Sequence, residues 1–227
     1  MTPRTHVRRR VAFLHTASSN IGLFEDAGHG DASHPAFDQR HEVRPDLLAA
    51  VSGGSGERDA AFEETRRELL RLAEVSDAVV LTCSSLGPAC EGWPDAPGAL
   101  FRADEALARS SASKGGRVLA LYAAPSSEGP TVQLFQSAAA RSSAHVECRL
   151  VEGAWAHFQE GRYDEYEAAI ARVVQSEHAN YDMVALAQAS MAVALRSLGP
   201  LTTVRTVPDA VMARLDALFK AVPTSSH

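Results

Sequence analysis

The sequence is short of aromatic residues, of cysteine and of long apolar runs, and each shortage excludes a class of protein. Its 227 residues include 6% aromatics and three cysteines, too few for a disulfide framework in a chain of this length. Its net charge of −6 lacks the basic excess that usually accompanies nucleic-acid binding. Every apolar run is too short to span a membrane, and His15 interrupts the run at residues 11–14 before it could serve as a signal segment. We therefore expect a globular cytoplasmic protein with no nucleic-acid or membrane partner.

A nine-residue pattern that occurs twice is the most informative feature that is present. Residues 77–85 read Asp-Ala-Val-Val-Leu-Thr-Cys-Ser-Ser, and residues 182–190 read Asp-Met-Val-Ala-Leu-Ala-Gln-Ala-Ser. Each copy is an aspartate, an apolar run of the length of a buried strand, and a turn of small residues. Cys83 and Gln188 therefore hold equivalent positions.

A second repeat predicts that the chain consists of two related halves. Residues 10–19 resemble residues 117–127, at nearly the same separation as the first repeat. Strand-like and helix-like segments alternate along the chain, which favours an α/β fold with a parallel sheet in each half. We expect residues 1–97 and 200–227 to form the first domain and residues 98–199 the second, so that a C-terminal strand and helix return to the first half.

The repeat also predicts where a ligand binds. Ligands of open α/β sheets bind beyond the carboxyl ends of the strands, so Cys83 and Gln188 are expected across one cleft. A cysteine at the start of the next helix has its thiol pKa lowered by the helix dipole and the backbone N–H groups. The alternative is an inert buried cysteine, since free cysteine is among the most buried residue types.

A metal site is not expected. His29, Asp31 and His34 lie close together in a loop rich in turn-forming residues, but no third ligand cluster stands at a recognised spacing.

The two turns resemble the active-site segments of a known family. Residues 82–87, Thr-Cys-Ser-Ser-Leu-Gly, and residues 186–192, Leu-Ala-Gln-Ala-Ser-Met-Ala, are similar to those of the aspartate/glutamate racemase superfamily. That group includes amino-acid and hydantoin racemases, maleate isomerases and arylmalonate decarboxylases. The resemblance extends to His15-Thr16 in the opening strand, to residues 101–105 and to the loop at residues 125–127.

This resemblance implies two pseudo-symmetric flavodoxin-like domains, no cofactor or metal, and a homodimer. It matches Cys83 to the first of two active-site cysteines and puts Gln188 where the second would stand. A small carboxylate substrate is implied. The residues expected to bind it are Asn20, Ser84, Ser85, Ser126, Gln188 and Ser190.

The replacement by Gln188 decides between reactions. Glutamine can orient a substrate through its amide but cannot act as a general acid or base, so racemisation by two thiols is not expected. The first hypothesis is an isomerase or lyase that uses Cys83 as its single acid/base or nucleophile. The alternative is a catalytically silent member of the group that binds a small carboxylate or a protein partner.

Overall fold

The structure is a computed structural model that describes residues 8–29, 37–199 and 201–221. Its strands are β1 (Arg9–His15), β2 (Phe37–Val43), β3 (Ala78–Leu81), β4 (Leu100–Arg102), β5 (Gly116–Tyr122), β6 (Ala144–Leu150), β7 (Met183–Leu186) and β8 (Val204–Thr206). Its α-helices are α1 (Ile21–His29), α2 (Pro45–Val51), α3 (Ser55–Ala73), α4 (Ala103–Ala112), α5 (Glu128–Ala139), α6 (Ala154–Gln159), α7 (Tyr163–Glu177), α8 (Leu195–Leu198) and α9 (Val207–Ala221). Short 3₁₀ helices cover Ser18–Asn20, Ser84–Cys90, Pro125–Ser127 and Ala189–Ala194.

The strands form two parallel sheets of identical topology. The order is β2-β1-β3-β4 in the first and β6-β5-β7-β8 in the second. The inner strands β1, β3, β5 and β7 carry nearly continuous apolar runs whose side chains are buried, as expected for parallel strands covered on both faces. The predicted architecture of two flavodoxin-like α/β halves is confirmed.

The aspartate that opens each copy of the repeat has the same structural role in both halves. Asp77 Oδ2 accepts a hydrogen bond from the Arg10 backbone N–H at 2.7 Å, and Asp182 Oδ2 accepts one from the Arg117 N–H at 2.7 Å. Each carboxylate thus ties the start of one central strand to its neighbour. The repeat therefore reflects equivalent backbone hydrogen bonding.

The edge strands β4 and β8 differ from the expected division of the chain. β4 lies in the segment expected for the second domain, yet it pairs with β3 in the first sheet. β8 lies in the C-terminal segment that we expected to return to the first half, yet it pairs with β7 in the second sheet. Each is only three residues long, too short for its side-chain pattern to identify its sheet.

The helices that follow these edge strands cross between the halves. α4 follows β4 but contacts β5, β7 and β8 of the second sheet. α9 follows β8 but contacts α1, and its Phe219 ring lies 6.2 Å from the ring of Phe37 on β2. α4 and α9 also pack against each other, so one apolar core runs through both halves.

None of the described helices is both long and apolar enough to span a membrane.

Candidate active site

Cys83 and Gln188 occupy the same backbone position in their respective halves. Each residue is extended and immediately precedes the 3₁₀ helix that follows the central strand β3 or β7. The Leu86 N–H donates to the Cys83 carbonyl at 3.2 Å, and the Met191 N–H donates to the Gln188 carbonyl at 3.0 Å. The equivalence inferred from the repeat therefore holds in the backbone.

The turns of one half contact the turns of the other. The 3₁₀ helix Ser84–Cys90 contacts Pro125–Ser127, and the 3₁₀ helix Ala189–Ala194 contacts Ser18–Asn20. Across the first of these contacts, the Ser85 and Ser126 hydroxyl oxygens lie 3.5 Å apart. Two residues expected to bind substrate, one from each half, are thus brought together beside Ser84, which is buried at 7% exposure.

A cavity of about 260 Å³ brings together two more of the expected residues, Asn20 and Ser190. Among the described residues, no partner hydrogen-bonds the buried Asn20 Oδ1. The Ser190 hydroxyl lies 2.8 Å from the Tyr166 hydroxyl, which also faces the cavity. Neither Cys83 nor Gln188 is among the residues that line this cavity, so the expected residues do not all meet in one place.

The Cys83 thiol has a raised pKa, in contrast to the expectation from its position before a helix. Cys83 is half-buried, and desolvation of the thiol raises its pKa above the ordinary value. Hydrogen bonds from the Thr16 side chain and from backbone N–H groups oppose this rise, and the nearby Asp104 carboxylate adds to it. The following helix is a short 3₁₀ segment, so its dipole does not overcome the cost of burying a charge.

A buried ion pair packs against the turn that carries Cys83. Arg102 Nη2 lies 2.9 Å from Asp104 Oδ2 and Arg102 Nε lies 3.0 Å from Asp104 Oδ1, with both side chains 8% exposed. The guanidinium lies against Gly87, where an added Cβ would stand 2.2 Å from Arg102 Cζ. Gly87 in the Cys-Ser-Ser-Leu-Gly segment is therefore explained by the close approach of Arg102.

Gln188 is held by the backbone of its own half. Its Oε1 accepts hydrogen bonds from the Ala123 N–H at 2.7 Å and from the Ala124 N–H at 2.9 Å. Both donors belong to residues that are at most 2% exposed and lie just beyond the end of β5. The amide oxygen is thus engaged by the protein, and a direct role of Gln188 in substrate binding stays a prediction.

A pair of histidines lies under the first turn. Thr82 Oγ1 donates to the Leu14 carbonyl at 2.9 Å, so His15 Nδ1–H donates to Thr82 Oγ1, also at 2.9 Å. His15 Nε2 then accepts from His41 Nδ1–H at 2.9 Å. Burial, and secondarily the neighbouring His41, lowers the pKa of His15 to about 3, and burial also lowers that of His41. Because both pKa values lie below 6.5, both rings are neutral at pH 7, and the hydrogen bonds themselves require His15 to be neutral.

Only part of this support is visible in the sequence. His15-Thr16 belongs to the family resemblance, but the roles of Thr16, His41 and Thr82 depend on strand pairing that no local pattern reveals. Within the described ranges, no group of three potential ligands is arranged to hold a metal ion. Of the loop residues considered for a metal, Asp31 and His34 lie outside the described residues, as does the side chain of His29.

Comparisons with known proteins find likeness in structure only. No family model matches the sequence, and no curated protein matches it. Aspartate racemase from Picrophilus torridus is similar with a TM-score of 0.71 at 11% identity over 94% of each chain. Allantoin racemase from Pseudomonas fluorescens has a TM-score of 0.64 at 14% identity, over 93% of this chain and 91% of that one. An unliganded arylmalonate decarboxylase has a TM-score of 0.53 at 16% identity, over 96% of this chain and 94% of that one. The chain therefore has the fold that its two turns suggested.

Proposed function

We propose that this chain is a cofactor-independent enzyme of the aspartate/glutamate racemase superfamily that acts on a small carboxylate. Cys83 is its single proton-transfer residue, and the reaction is of the isomerase or lyase type. The fold supports this proposal, since the proteins that share it include racemases of aspartate and allantoin and a decarboxylase of arylmalonate.

The observation that carries the proposal is the unequal pair of matched turns. One turn presents a thiol, and the other presents an amide whose oxygen is fixed by two backbone N–H groups. An amide has no accessible pKa, so it cannot exchange a proton with the second face of a substrate. One-sided proton transfer by Cys83 follows.

The raised pKa of the thiol favours a role as proton donor over that of base or nucleophile. A thiol that stays protonated at neutral pH can deliver its proton to a carbanion on the substrate, such as one left after loss of carbon dioxide. The thiolate that forms then recovers a proton from water. Ser84, Ser85 and Ser126 are the hydroxyl donors proposed to hold the substrate carboxylate beside it.

Turnover by a Cys83→Ser variant tests the proposal. Wild-type protein is incubated in D₂O with a panel of malonates, maleate and amino acids, and deuterium incorporation and product formation are followed by proton NMR. For a compound that the wild type converts, we expect Cys83→Ser to lower kcat by about 10²–10⁴-fold, the usual contribution of a positioned acid or base. Cys148→Ser, on β6 and outside both turns, is the matched control and should retain activity. Full turnover by Cys83→Ser would show that the proposal is wrong.

The second candidate is a catalytically silent protein that binds a small carboxylate. The fixed oxygen of Gln188 and the raised pKa of Cys83 also favour this candidate, since these two groups together cannot act as a pair of catalytic bases. Binding of a panel compound without turnover or deuterium incorporation, together with a rate of Cys83 alkylation that the compound leaves unchanged, would support this alternative.

A further inference from the structure

We propose that the backbone N–H groups of Thr16 and Ala17 bind one oxygen of an anionic ligand, and that Gln188 closes the equivalent site of the second half. This inference deepens the proposed function, on which its choice of a carboxylate rests.

The loops after β1 and β5 have the same backbone structure. The Arg44 N–H donates to the His15 carbonyl at 2.8 Å, and the Val151 N–H donates to the Tyr122 carbonyl at 2.8 Å. His15 and Tyr122 are thus equivalent, which makes Thr16 and Ala17 the counterparts of Ala123 and Ala124.

The turn after each loop confirms this alignment. The Asn20 N–H donates to the Ala17 carbonyl at 3.2 Å, and the Ser127 N–H donates to the Ala124 carbonyl at 3.0 Å. Ala17 and Ala124 are both extended. The backbone therefore presents a pair of N–H donors at the same place in each half.

In the second half this donor pair is filled. Gln188 Oε1 accepts from both N–H groups, at 2.7 Å and 2.9 Å. A single oxygen atom therefore fits between the two donors. The side chain that supplies it extends from the position equivalent to Cys83.

In the first half the pair is open. Among the described residues, none accepts a hydrogen bond from the Thr16 or Ala17 N–H. Cys83 ends at Sγ, well short of the reach of a glutamine oxygen, and it takes the Thr16 side chain as its own partner. Thr16 is buried at 8% exposure, where a backbone N–H without an acceptor is unfavourable, and Ala17 is half-buried and within reach of solvent.

The missing acceptor is best supplied by a carboxylate or an oxyanion. Charged acceptors form shorter and stronger hydrogen bonds with backbone N–H groups than neutral amides do. An oxygen bound here would lie next to Cys83, because β1 pairs with β3 as far as Leu14 and Leu81, two residues before Thr16 and Cys83. The anion would thus be fixed on the side of the cleft that carries the proton donor.

Backbone NMR tests the inference directly. Uniformly ¹⁵N-labelled protein is titrated with sodium malonate, with sodium chloride at matched ionic strength as the comparison. We expect the Thr16 and Ala17 amide protons to move downfield along a saturable curve, while those of Ala123 and Ala124 stay in place. In Gln188→Ala the Ala123 and Ala124 amides should also respond, whereas Gln159→Ala, an exposed change on α6, should behave as wild type.

The outcomes separate this inference from the proposed function. The inference is overturned if malonate produces no response at Thr16 and Ala17 beyond the response to chloride, whether or not other amides move. Ala123 and Ala124 amides that stay silent in a folded Gln188→Ala variant also count against it. The titration is repeated with Cys83→Ser: a persistent response there together with retained turnover would defeat the proposed function and support the binding site.

Discussion

The two halves place the same backbone turn at the end of the same strand but give it different chemistry. In the first half the turn carries a desolvated thiol, and the donor pair opposite it is open. In the second half the turn carries an amide, and the equivalent donor pair is filled by that amide. The comparison teaches that the scaffold alone does not fix the chemistry of a turn: the side chain at one position decides whether its half carries a thiol or an amide that fills its own donor pair.

The supporting residues differ between the halves as well. His15 and His41 of the first half correspond to Tyr122 and Cys148 of the second, as the strand register shows. Burial lowers the pKa of the first pair and raises that of Tyr122 and Cys148. Acid therefore charges the buried histidines of the first half, whereas Tyr122 and Cys148 of the second half are already protonated and stay neutral.

The largest stability effect is expected from breaking the buried ion pair of the first half. Arg102→Met leaves the Asp104 carboxylate buried without its cation, and we expect a loss of about 3–5 kcal/mol in the free energy of unfolding. Urea unfolding followed by circular dichroism measures it.

Two control variants sharpen this comparison. Arg109→Met breaks a more exposed ion pair with Glu105, one turn away on α4, and should lower the free energy of unfolding by about 0–1 kcal/mol. Thr206 holds the strand position of the second half that matches Arg102, and its hydroxyl donates to Asp209 at 2.6 Å. Thr206→Val removes that hydrogen bond and should lower the free energy of unfolding by about 1 kcal/mol. If Arg102→Met cost no more than these controls, the ion pair would not be a special feature of the first half.

The next effect is expected at the locked amide of the second half. Gln188→Ala leaves the buried Ala123 and Ala124 N–H groups without an acceptor, so we expect a loss of about 2–4 kcal/mol, reduced to the extent that water replaces the oxygen. Thermal and urea unfolding measure the change. The exposed Gln159→Ala substitution should stay within about 0.5 kcal/mol of wild type, and an equally small effect at Gln188 would contradict the role given to its oxygen.

The smallest effect is a pH dependence that belongs to the first half. Burial holds the pKa of His15 at about 3 against 6.5 when unfolded, so between these values the unfolded chain binds a proton that the native one does not. Stability should therefore fall as the pH falls below about 6.5, with His15 alone contributing at most about 1.4 kcal/mol per pH unit and roughly 2 kcal/mol by pH 5. His41, whose pKa burial also lowers, adds to the loss in the same direction.

Urea unfolding at pH 7, 6 and 5 measures this slope. His15→Phe should flatten it, even if that variant is less stable at every pH, because the titrating group is gone. Hydrogen exchange should show that β1 and β2 lose protection in acid before β5 and β6. Equal loss in both sheets would mean that the histidine pair is not the cause.

The central strands β3 and β7 and the equivalence of the two turns were predictable, because short stretches of sequence encode them. Apolar runs of strand length, each opened by an aspartate, identified β3 and β7 and the equivalence of Cys83 with Gln188. The sheets to which the edge strands β4 and β8 belong were not predictable in this way, because three residues carry too little pattern and their partners are distant in sequence.

For the site, the sequence by itself determined which side chains stand at the two turns: one thiol, one amide and several serine hydroxyls. Only the tertiary structure decided what surrounds them. Desolvation reversed the expected direction of the Cys83 pKa shift, and backbone donors beyond β5 fixed the oxygen of Gln188. The reason is physical: residue identity fixes the chemistry a group can perform, whereas its pKa and hydrogen-bond partners depend on atoms brought beside it from far along the chain.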